Sequence, residues 1–104
     1  MTRITRKQLE TAVDTLNEMT GSPLEPYSKV GDKWVANVGN YHISGAYGGF
    51  SLHRMVNDGG GVKDIFYCGH VPARELFGLI RAYRYGIHMG LENASKLVRE
   101  QVEA

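Results

Sequence analysis

Apolar residues between positions 5 and 20 recur with the spacing of one helical face. The members of this stripe are Leu9, Ala12, Val13, Leu16 and Met19. They fall at i, i+3, i+4, i+7 and i+10, which predicts an amphipathic helix over residues 5–20. Thr5 and Gln8 fit a capping box at its start. Gly21, closely followed by Pro23, indicates its end.

The apolar pattern changes to a period of two between residues 33 and 68, where glycine-rich turns separate short runs. The strand candidates are Trp34–Val38, Tyr41–Tyr47, Phe50–Val56 and Val62–Tyr67. An earlier partial strand at Tyr27–Val30 is placed to pair across Gly31-Asp32. We expect three or four of these strands to form an antiparallel meander.

The turn between the second and third candidates decides which side chains share a face. With Gly48-Gly49 as a two-residue turn, Tyr47 faces Phe50 and Gly45 faces Leu52. One face then carries Tyr41, Ile43, Phe50, Leu52 and Val56. The other face carries His42, Ser44, Ser51, His53 and Met55. Because side chains alternate with a period of two, these assignments stand or fall together.

A second helix is predicted from Pro72, which suits the first helical position. Its buried stripe is Leu76, Ile80, Tyr83 and Ile87. Gly78 suggests close approach of this helix to the sheet, and Gly86 and Gly90 are expected to weaken or end it. Residues 91–104 form a peripheral amphipathic segment that docks on this domain or on a second copy, so we predict a homodimer. The order of elements predicts an α+β fold, with the C-terminal helices on one face of the sheet.

Length and composition indicate a single domain over residues 1–104, with residues 1–4 as a flexible N-terminus. The 12 basic and 11 acidic side chains leave a net charge of +1. This balance argues against a protein that coats DNA, and it removes a barrier to self-association. The single cysteine, the lack of a leader pattern and the lack of a long apolar stretch predict a reducing cytoplasm and no membrane contact.

The second helix carries a basic face interleaved with aromatic side chains, opposite its apolar stripe. Its members are Arg74, Arg81, Arg84, Tyr85 and His88. Arginine and tyrosine anchor interfaces and stack on bases, so this face predicts a partner-binding surface. A solvated helix face is the alternative. The hairpin tip Tyr47-Gly48-Gly49 offers a second exposed contact area.

The loop at residues 57–61 could present successive backbone N–H groups to an anion. The residues of this candidate anion site are Arg54, Asn57, Gly59, Gly60, Gly61 and Lys63. Neither the P-loop nor the dinucleotide-binding glycine pattern is present. A flexible hairpin loop is the alternative interpretation.

The remaining chemically active residues are His42, His53, Cys68 and His70, whose spacing matches no zinc motif. His42 and His53 lie on one sheet face, as ligand-binding or half-exposed residues. Cys68 and His70 could act as nucleophile and base of a hydrolase, but no elbow or oxyanion-hole motif accompanies them. We therefore predict no catalytic residue, no metal and no cofactor, with Cys68 packed at a strand end.

Several segments resemble small proteins of bacteriophages and prophages over about residues 5–90. These segments are Gly39-Asn40-Tyr41-His42-Ile43, Ala46-Tyr47-Gly48-Gly49, Leu52-His53-Arg54-Met55-Val56-Asn57, Gly59-Gly60-Gly61-Val62 and Arg74-Glu75-Leu76. The resemblance implies a viral accessory protein that acts in the cytoplasm of a bacterial host, without an assigned reaction.

The order helix, antiparallel sheet, helix is also similar to that of double-stranded-RNA-binding domains. Those domains begin their second helix with a lysine cluster, whereas this chain has Pro72-Ala73-Arg74-Glu75. The leading hypothesis is therefore a non-enzymatic accessory protein that binds and modulates a host protein through the arginine-tyrosine helix face, the hairpin tip, or both. The alternatives are a nucleic-acid-binding module and an oligomeric sponge that holds a small anionic nucleotide at the glycine loop.

Overall fold

A computed structural model describes residues 3–103, and it has an α+β fold as predicted. The elements are α1 (Arg6–Thr20), β1 (Tyr27–Val30), β2 (Lys33–Ala36), β3 (Tyr41–Ala46), β4 (Gly49–Met55), β5 (Val62–Asp64) and α2 (Ala73–Glu103). The strands form two antiparallel sheets: a ribbon of β1 and β2, and a sheet in the order β3-β4-β5. Parts of the predicted flexible N-terminus and of the predicted dimerising helix, at residues 1, 2 and 104, lie outside the described residues.

Helix α1 begins and ends as its sequence predicts. The Thr5 hydroxyl accepts the Gln8 N–H at 3.2 Å, and the Gln8 side-chain oxygen accepts the Thr5 N–H at 2.8 Å. This reciprocal pair satisfies N–H groups that the first turn of a helix leaves without partners. Gly21 ends the helix in the left-handed conformation, with φ of 67°.

The β3–β4 hairpin turns one residue earlier than predicted. Tyr47 and Gly48 occupy the turn with φ of 54° and 74°, and Ala46 pairs with Gly49. Positive φ at both central residues is the type I′ geometry that matches strand twist. The predicted pairing of Tyr47 with Phe50 is therefore wrong by two positions. An even shift preserves the faces, so Ile43 still shares a face with its actual partner, Leu52.

Both helices pack on the same face of the three-stranded sheet. The buried core consists of Leu9, Ala12, Val13, Leu16, Tyr41, Leu52, Leu76 and Ile80. Each fully buried leucine or isoleucine in this set contributes about 1.5–3 kcal/mol relative to an exposed one. Val56, predicted on this face, lies beyond β4 and is half exposed.

Helix α2 runs without interruption for 31 residues, so the predicted break at Gly86 or Gly90 is wrong. Gly78 is also open: a Cβ built there meets nothing within 4 Å, which contradicts the predicted close approach to the sheet. About 46 Å of helix follows from this length, yet the core contacts end at Ile87. The C-terminal half therefore projects from the body, and the radius of gyration of 16.2 Å exceeds the 13 Å or so expected for this length.

Cys68 is exposed, so its predicted role as a packed residue is wrong. Its Sγ lies 3.6 Å from the carbonyl oxygen of Gly69. Between residues 3 and 103, no helix combines the length and apolar character needed to cross a bilayer.

Candidate functional site

The two helices lie side by side and point in the same direction. Thr5, which caps α1, and Ala73, which begins α2, line one cleft. Met19, near the end of α1, lines a different cavity together with Tyr85 of α2. The first turns of the two helices therefore lie together, and so do their later turns. The groove between the helices has both N-termini at one end.

At the far end of this groove, four of the predicted partner-binding residues meet. Arg81, Arg84, Tyr85 and His88 line a cavity of about 370 Å³ together with Met19. Met19, assigned from its spacing to the buried stripe of α1, supplies an apolar side to this cavity. The fifth predicted residue of this face, Arg74, lies two turns or more nearer to the helix start and does not line the cavity.

The middle of the groove is a cavity of about 390 Å³ between the facing sides of α1 and α2. Its lining residues are Thr5, Lys7, Gln8, Thr11, Ala12, Thr15, Phe77 and Arg84. Ala12 and Phe77 give it an apolar floor, and the threonine hydroxyls with Lys7 give it a polar rim. This part of the site was not predicted from the sequence.

The near end of the groove opens into a cleft of about 690 Å³. Its lining residues are Arg3, Ile4, Thr5, Arg6, Gly48, Phe50, Pro72, Ala73 and Arg74. Arg74 and the predicted hairpin tip therefore meet at this end, through Gly48. The Arg6 guanidinium lies 5.8 Å from the centroid of the Phe50 ring, and its Nε donates to Glu10 at 3.1 Å.

These three concavities adjoin one another along the helix pair, since the first two share Arg84 and the last two share Thr5. We call them together the basic groove. Its cationic residues are Arg3, Arg6, Lys7, Arg74, Arg81 and Arg84. They make up six of the chain's 12 lysines and arginines, and no Asp or Glu is among the described residues that line the groove. A nearly neutral chain thus concentrates positive charge along one surface.

The acidic residues of α1 help to explain this separation of charge. Glu10 and Asp14 line a different cavity, of about 290 Å³, on the flank of α1 that faces β3. Glu25, from the connector after α1, lines the same cavity. Arg6 lines this cavity as well as the near-end cleft, and its Nε is paired with Glu10 at 3.1 Å, so the near end of the groove adjoins carboxylates. The side of α1 that faces the middle of the groove carries Lys7 and three threonines instead.

The hairpin tip does not act as a single exposed surface. Tyr47 is fully exposed at the turn, and its ring lies 6.0 Å from that of His70. Gly49 is instead buried, since a Cβ built there would lie 2.9 Å from the Val71 carbonyl oxygen. The tip thus offers Tyr47 and the backbone of Gly48 to a partner.

The glycine loop satisfies its own donors. The Asn57 Oδ1 accepts the N–H groups of Gly59 at 3.1 Å and of Gly61 at 2.9 Å. The Gly60 N–H points to the Asn57 carbonyl oxygen at 3.4 Å. An anion at this loop would have to displace these bonds.

The two cations predicted to flank the glycine loop are engaged with tyrosines. The Arg54 guanidinium lies 4.6 Å from the centroid of the Tyr41 ring, and its Nε donates to the Gly39 carbonyl oxygen at 3.2 Å. The Lys63 ammonium lies 5.5 Å from the centroid of the Tyr67 ring. Neither contact directs the charge into the loop.

Three histidines gather on the sheet face opposite the helices. The ring of His53 lies 5.9 Å from that of His42 and 6.3 Å from that of His70. Partial burial lowers the pKa of His42 below its usual value, and the neighbouring His53 lowers it further. The Ser44 hydroxyl lies 3.2 Å from Nε2 of His70. Within residues 3–103, no three His, Cys, Asp or Glu side chains are grouped so that they could hold a metal ion.

Searches of protein-family models, curated proteins and solved structures return no match to this chain. The case for a function therefore depends on the geometry of the basic groove. One sequence signal could have drawn attention to its near end. The first turn of α1 carries Arg6 and Lys7 and no acidic residue, the reverse of what a helix dipole favours.

Proposed function

We propose that this protein is a non-enzymatic binding module that holds an acidic segment of a partner protein in the basic groove. The supporting observation is that three adjoining concavities are lined by six lysines and arginines and, among the described residues, by no carboxylate. One of the six, Arg6, pairs with Glu10, which lines the cavity on the other flank of α1. Arg6 and Met19 are 13 positions apart, which corresponds to about 20 Å of helix. A partner helix of similar length, or about six extended residues, fits this distance.

The chemistry of the groove favours a polypeptide over a nucleic-acid backbone. Its floor is apolar, with Ala12 and Phe77 in the middle and Met19 at the far end. An amphipathic acidic segment fills such a floor with its apolar side chains while its carboxylates meet the cations at the rim. A duplex backbone supplies phosphates but no apolar group for the floor, since its bases are stacked inside.

Tyr47 offers a further contact area at the hairpin tip, beside His70. It takes a left-handed backbone conformation that glycine or asparagine adopts more readily, and its side chain is fully exposed. Burial of the side chain therefore does not compensate the free-energy cost of this backbone conformation. An exposed aromatic ring at a hairpin tip is well suited to anchor a partner.

The resemblance to bacteriophage proteins supplies the biological part of the proposal. A viral accessory protein of this kind binds a host protein in the bacterial cytoplasm and blocks or redirects it. The groove supplies the specific expectation that the host segment is acidic and amphipathic.

The proposal is tested by fluorescence anisotropy with a labelled 13-residue peptide whose leucines and glutamates have amphipathic helical spacing. We expect saturable binding, and we expect Arg81→Glu to weaken it by about tenfold, which corresponds to 1.4 kcal/mol. Lys33→Glu makes the same charge change on the exposed β1–β2 ribbon and should alter the dissociation constant by less than about twofold. Thermal melts establish that each variant is folded.

Two outcomes would contradict this function. One is equal weakening by Arg81→Glu and Lys33→Glu, which would mean that the peptide responds only to overall charge. The other is tight binding of an RNA duplex with a steep loss of affinity in salt, alongside no binding of the acidic peptide. That second result would assign the groove to nucleic acid instead.

A further inference from the structure

We infer that the open edge of β3 is a second peptide-binding site, which takes an extended basic segment of a partner as an added antiparallel strand. In the sheet order β3-β4-β5, β3 has a neighbouring strand on one side only. An edge strand presents unpaired N–H and C=O groups that can pair with another chain. This site lies on the flank of α1 that faces β3, and it goes beyond the proposed function because it does not depend on what fills the basic groove.

The register of the sheet shows which backbone groups face the open edge. Phe50 and Val71 exchange two backbone hydrogen bonds, at 2.7 and 2.9 Å, so the N–H and C=O of Phe50 point away from β3. Gly45 lies directly opposite Phe50, and its own N–H and C=O therefore point away from β4. Ile43, two residues earlier in β3, has the same orientation because hydrogen-bonded and non-hydrogen-bonded pairs alternate.

The side chain of Asn17 occupies the start of this edge and leaves the rest open. It bonds both the N–H and the C=O of Tyr41, as an added strand would do. No described residue makes a hydrogen bond to the outward N–H and C=O groups of Ile43 and Gly45. These four groups suit two residues of an added antiparallel strand.

Helix α1 runs along this edge and forms the floor of a channel. Asn17 lies beside the start of β3, and Val13, Glu10 and Arg6 follow at successive turns toward the start of the helix. Arg6 reaches the other end of the edge, where a Cβ built on Gly45 would lie 3.2 Å from its Nη1. The cavity of about 290 Å³ lies between this flank of α1 and β3.

The charges along the channel favour a basic segment. Its lining includes the carboxylates of Glu10, Asp14 and Glu25 and one cation, Arg6. Glu10 is paired with Arg6, whereas neither Asp14 nor Glu25 is in an ion pair with a described residue. A lysine or arginine is therefore favoured toward Asp14 and Glu25, and Arg6 disfavours a cation at the end near Gly45.

The shape of the channel favours a single extended segment over a second copy of this chain. Paired strands lie about 4.8 Å apart, whereas packed helices need about 8–10 Å between their axes. The reach of Asn17 to the strand edge shows that α1 lies close beside it. A second copy that paired through its own β3 would bring its own α1 into the same narrow space.

The composition of a test peptide follows from the lining. Residues that lie directly opposite each other in an antiparallel pair point to the same face, so residues opposite Ile43 and Gly45 point toward α1. The acetylated and amidated pentapeptide TVTKT places its lysine opposite Ile43 and its valine opposite Gly45. Its threonines face the solvent side of the sheet.

The first experiment follows the amide groups of the strand edge by NMR during titration with TVTKT. With the free peptide at ten times its dissociation constant, hydrogen exchange at Ile43 and Gly45 should slow by about tenfold, because only the unbound form exchanges freely. The peptide TVTET should bind at least about tenfold more weakly, since its glutamate meets the carboxylates. Equal binding of the two peptides, or binding without protection of Ile43 and Gly45, would overturn the inference.

Two N-methylated peptides separate strand addition from attraction between charges. Methylation of the valine and lysine backbone nitrogens removes the donors that point to β3 and should weaken binding by at least about tenfold. Methylation of the second and third threonine nitrogens keeps those donors and should change the dissociation constant by less than about threefold. Strand addition is refuted if both patterns have the same effect.

A matched pair of variants tests the acidic side of the channel. Glu25→Lys should weaken the binding of TVTKT by about fivefold or more, because a cation then meets a cation. Glu18→Lys makes the same charge change on an exposed position of α1 that does not line this cavity, and should alter the dissociation constant by less than about twofold. Equal weakening by the two variants would contradict the site. A dimer of the free protein that TVTKT dissociates would assign this edge to a second copy and also overturn the inference.

Discussion

The Asn17 side chain holds the backbone of Tyr41 at two points. Its Oδ1 accepts the Tyr41 N–H at 2.8 Å, and its Nδ2 donates to the Tyr41 carbonyl oxygen at 2.9 Å. Asn17 is only 1% exposed. The Asn17 amide thus makes the hydrogen bonds that a neighbouring strand would make to the start of β3. These bonds also fix α1 against the sheet.

Replacing this amide should destabilise the whole domain. Asn17→Leu leaves a buried N–H and a buried carbonyl oxygen without partners, and each lost partner costs about 1–3 kcal/mol. We expect the free energy of unfolding to fall by about 2–4 kcal/mol. Urea denaturation followed by circular dichroism measures this change. Asn93→Leu, an exposed position on α2, should change the stability by less than about 0.5 kcal/mol.

The fold should lose stability as the solution becomes mildly acidic, in part because of His42. Burial and the neighbouring His53 lower its pKa in the folded protein below the usual 6.5. Well above pH 6.5 both the folded and the unfolded states keep His42 neutral, so the group adds no pH dependence there. As the pH falls below that value, the unfolded state binds the proton first, and the free energy of unfolding decreases.

Melting temperatures measured between pH 7.5 and pH 5 test this expectation. His42→Gln should flatten the decline, because it removes a group whose protonation the fold opposes. His88→Gln removes an imidazole that is two-thirds exposed on α2 and should leave the decline in place. A decline of equal size in wild type and His42→Gln would show that another group is responsible.

Two glycine-to-alanine substitutions should change the free energy of unfolding in opposite directions. Gly78 lies inside α2 with open space around it, so Gly78→Ala should stabilise the protein by about 0.5–1 kcal/mol. Gly49→Ala should destabilise it, because the new Cβ would lie 2.9 Å from the Val71 carbonyl oxygen. Thermal unfolding of both variants tests the geometry of each site. A stabilising Gly49→Ala would mean that the contact with Val71 is looser than described.

A substitution at Tyr47 should change stability and binding in opposite directions. Asparagine adopts positive φ more readily than tyrosine, so Tyr47→Asn should raise the free energy of unfolding by up to about 1 kcal/mol. The same change removes a fully exposed ring at the hairpin tip and should weaken binding of the partner segment. Denaturation and titration on the same preparation give both values. A variant that is less stable yet binds normally would assign Tyr47 a purely structural role.

Local sequence signals were enough to predict the helices and strands but not the exact position of the β3–β4 turn. The capping box of Thr5 and Gln8 and the helix stop at Gly21 are confirmed because each depends on neighbouring residues alone. The β3–β4 turn was misplaced because Gly48-Gly49 and Tyr47-Gly48 differ by one residue, and tyrosine rarely adopts positive φ. What decides between them is burial of Gly49 against Val71, a residue far along the chain.

The candidate site depended even more on long-range structure. The sequence grouped Arg81, Arg84, Tyr85 and His88 because they share one helix face, and these residues do line one cavity. It could not show that Arg74 would instead meet Arg3, which is 71 positions away along the chain. Helical periodicity describes one element at a time, whereas the groove arises from how two elements pack.

Because α1 and α2 point the same way, the two ends of the groove between them are not equivalent. A chain lying along it would meet Arg3, Arg6 and Arg74 at one end, and Arg81 and Arg84 with a tyrosine, a histidine and a methionine at the other. A segment with the reversed sequence would place each of its side chains opposite a different part of the groove. If the groove holds a partner segment as proposed, it should distinguish the direction of that segment as well as its composition.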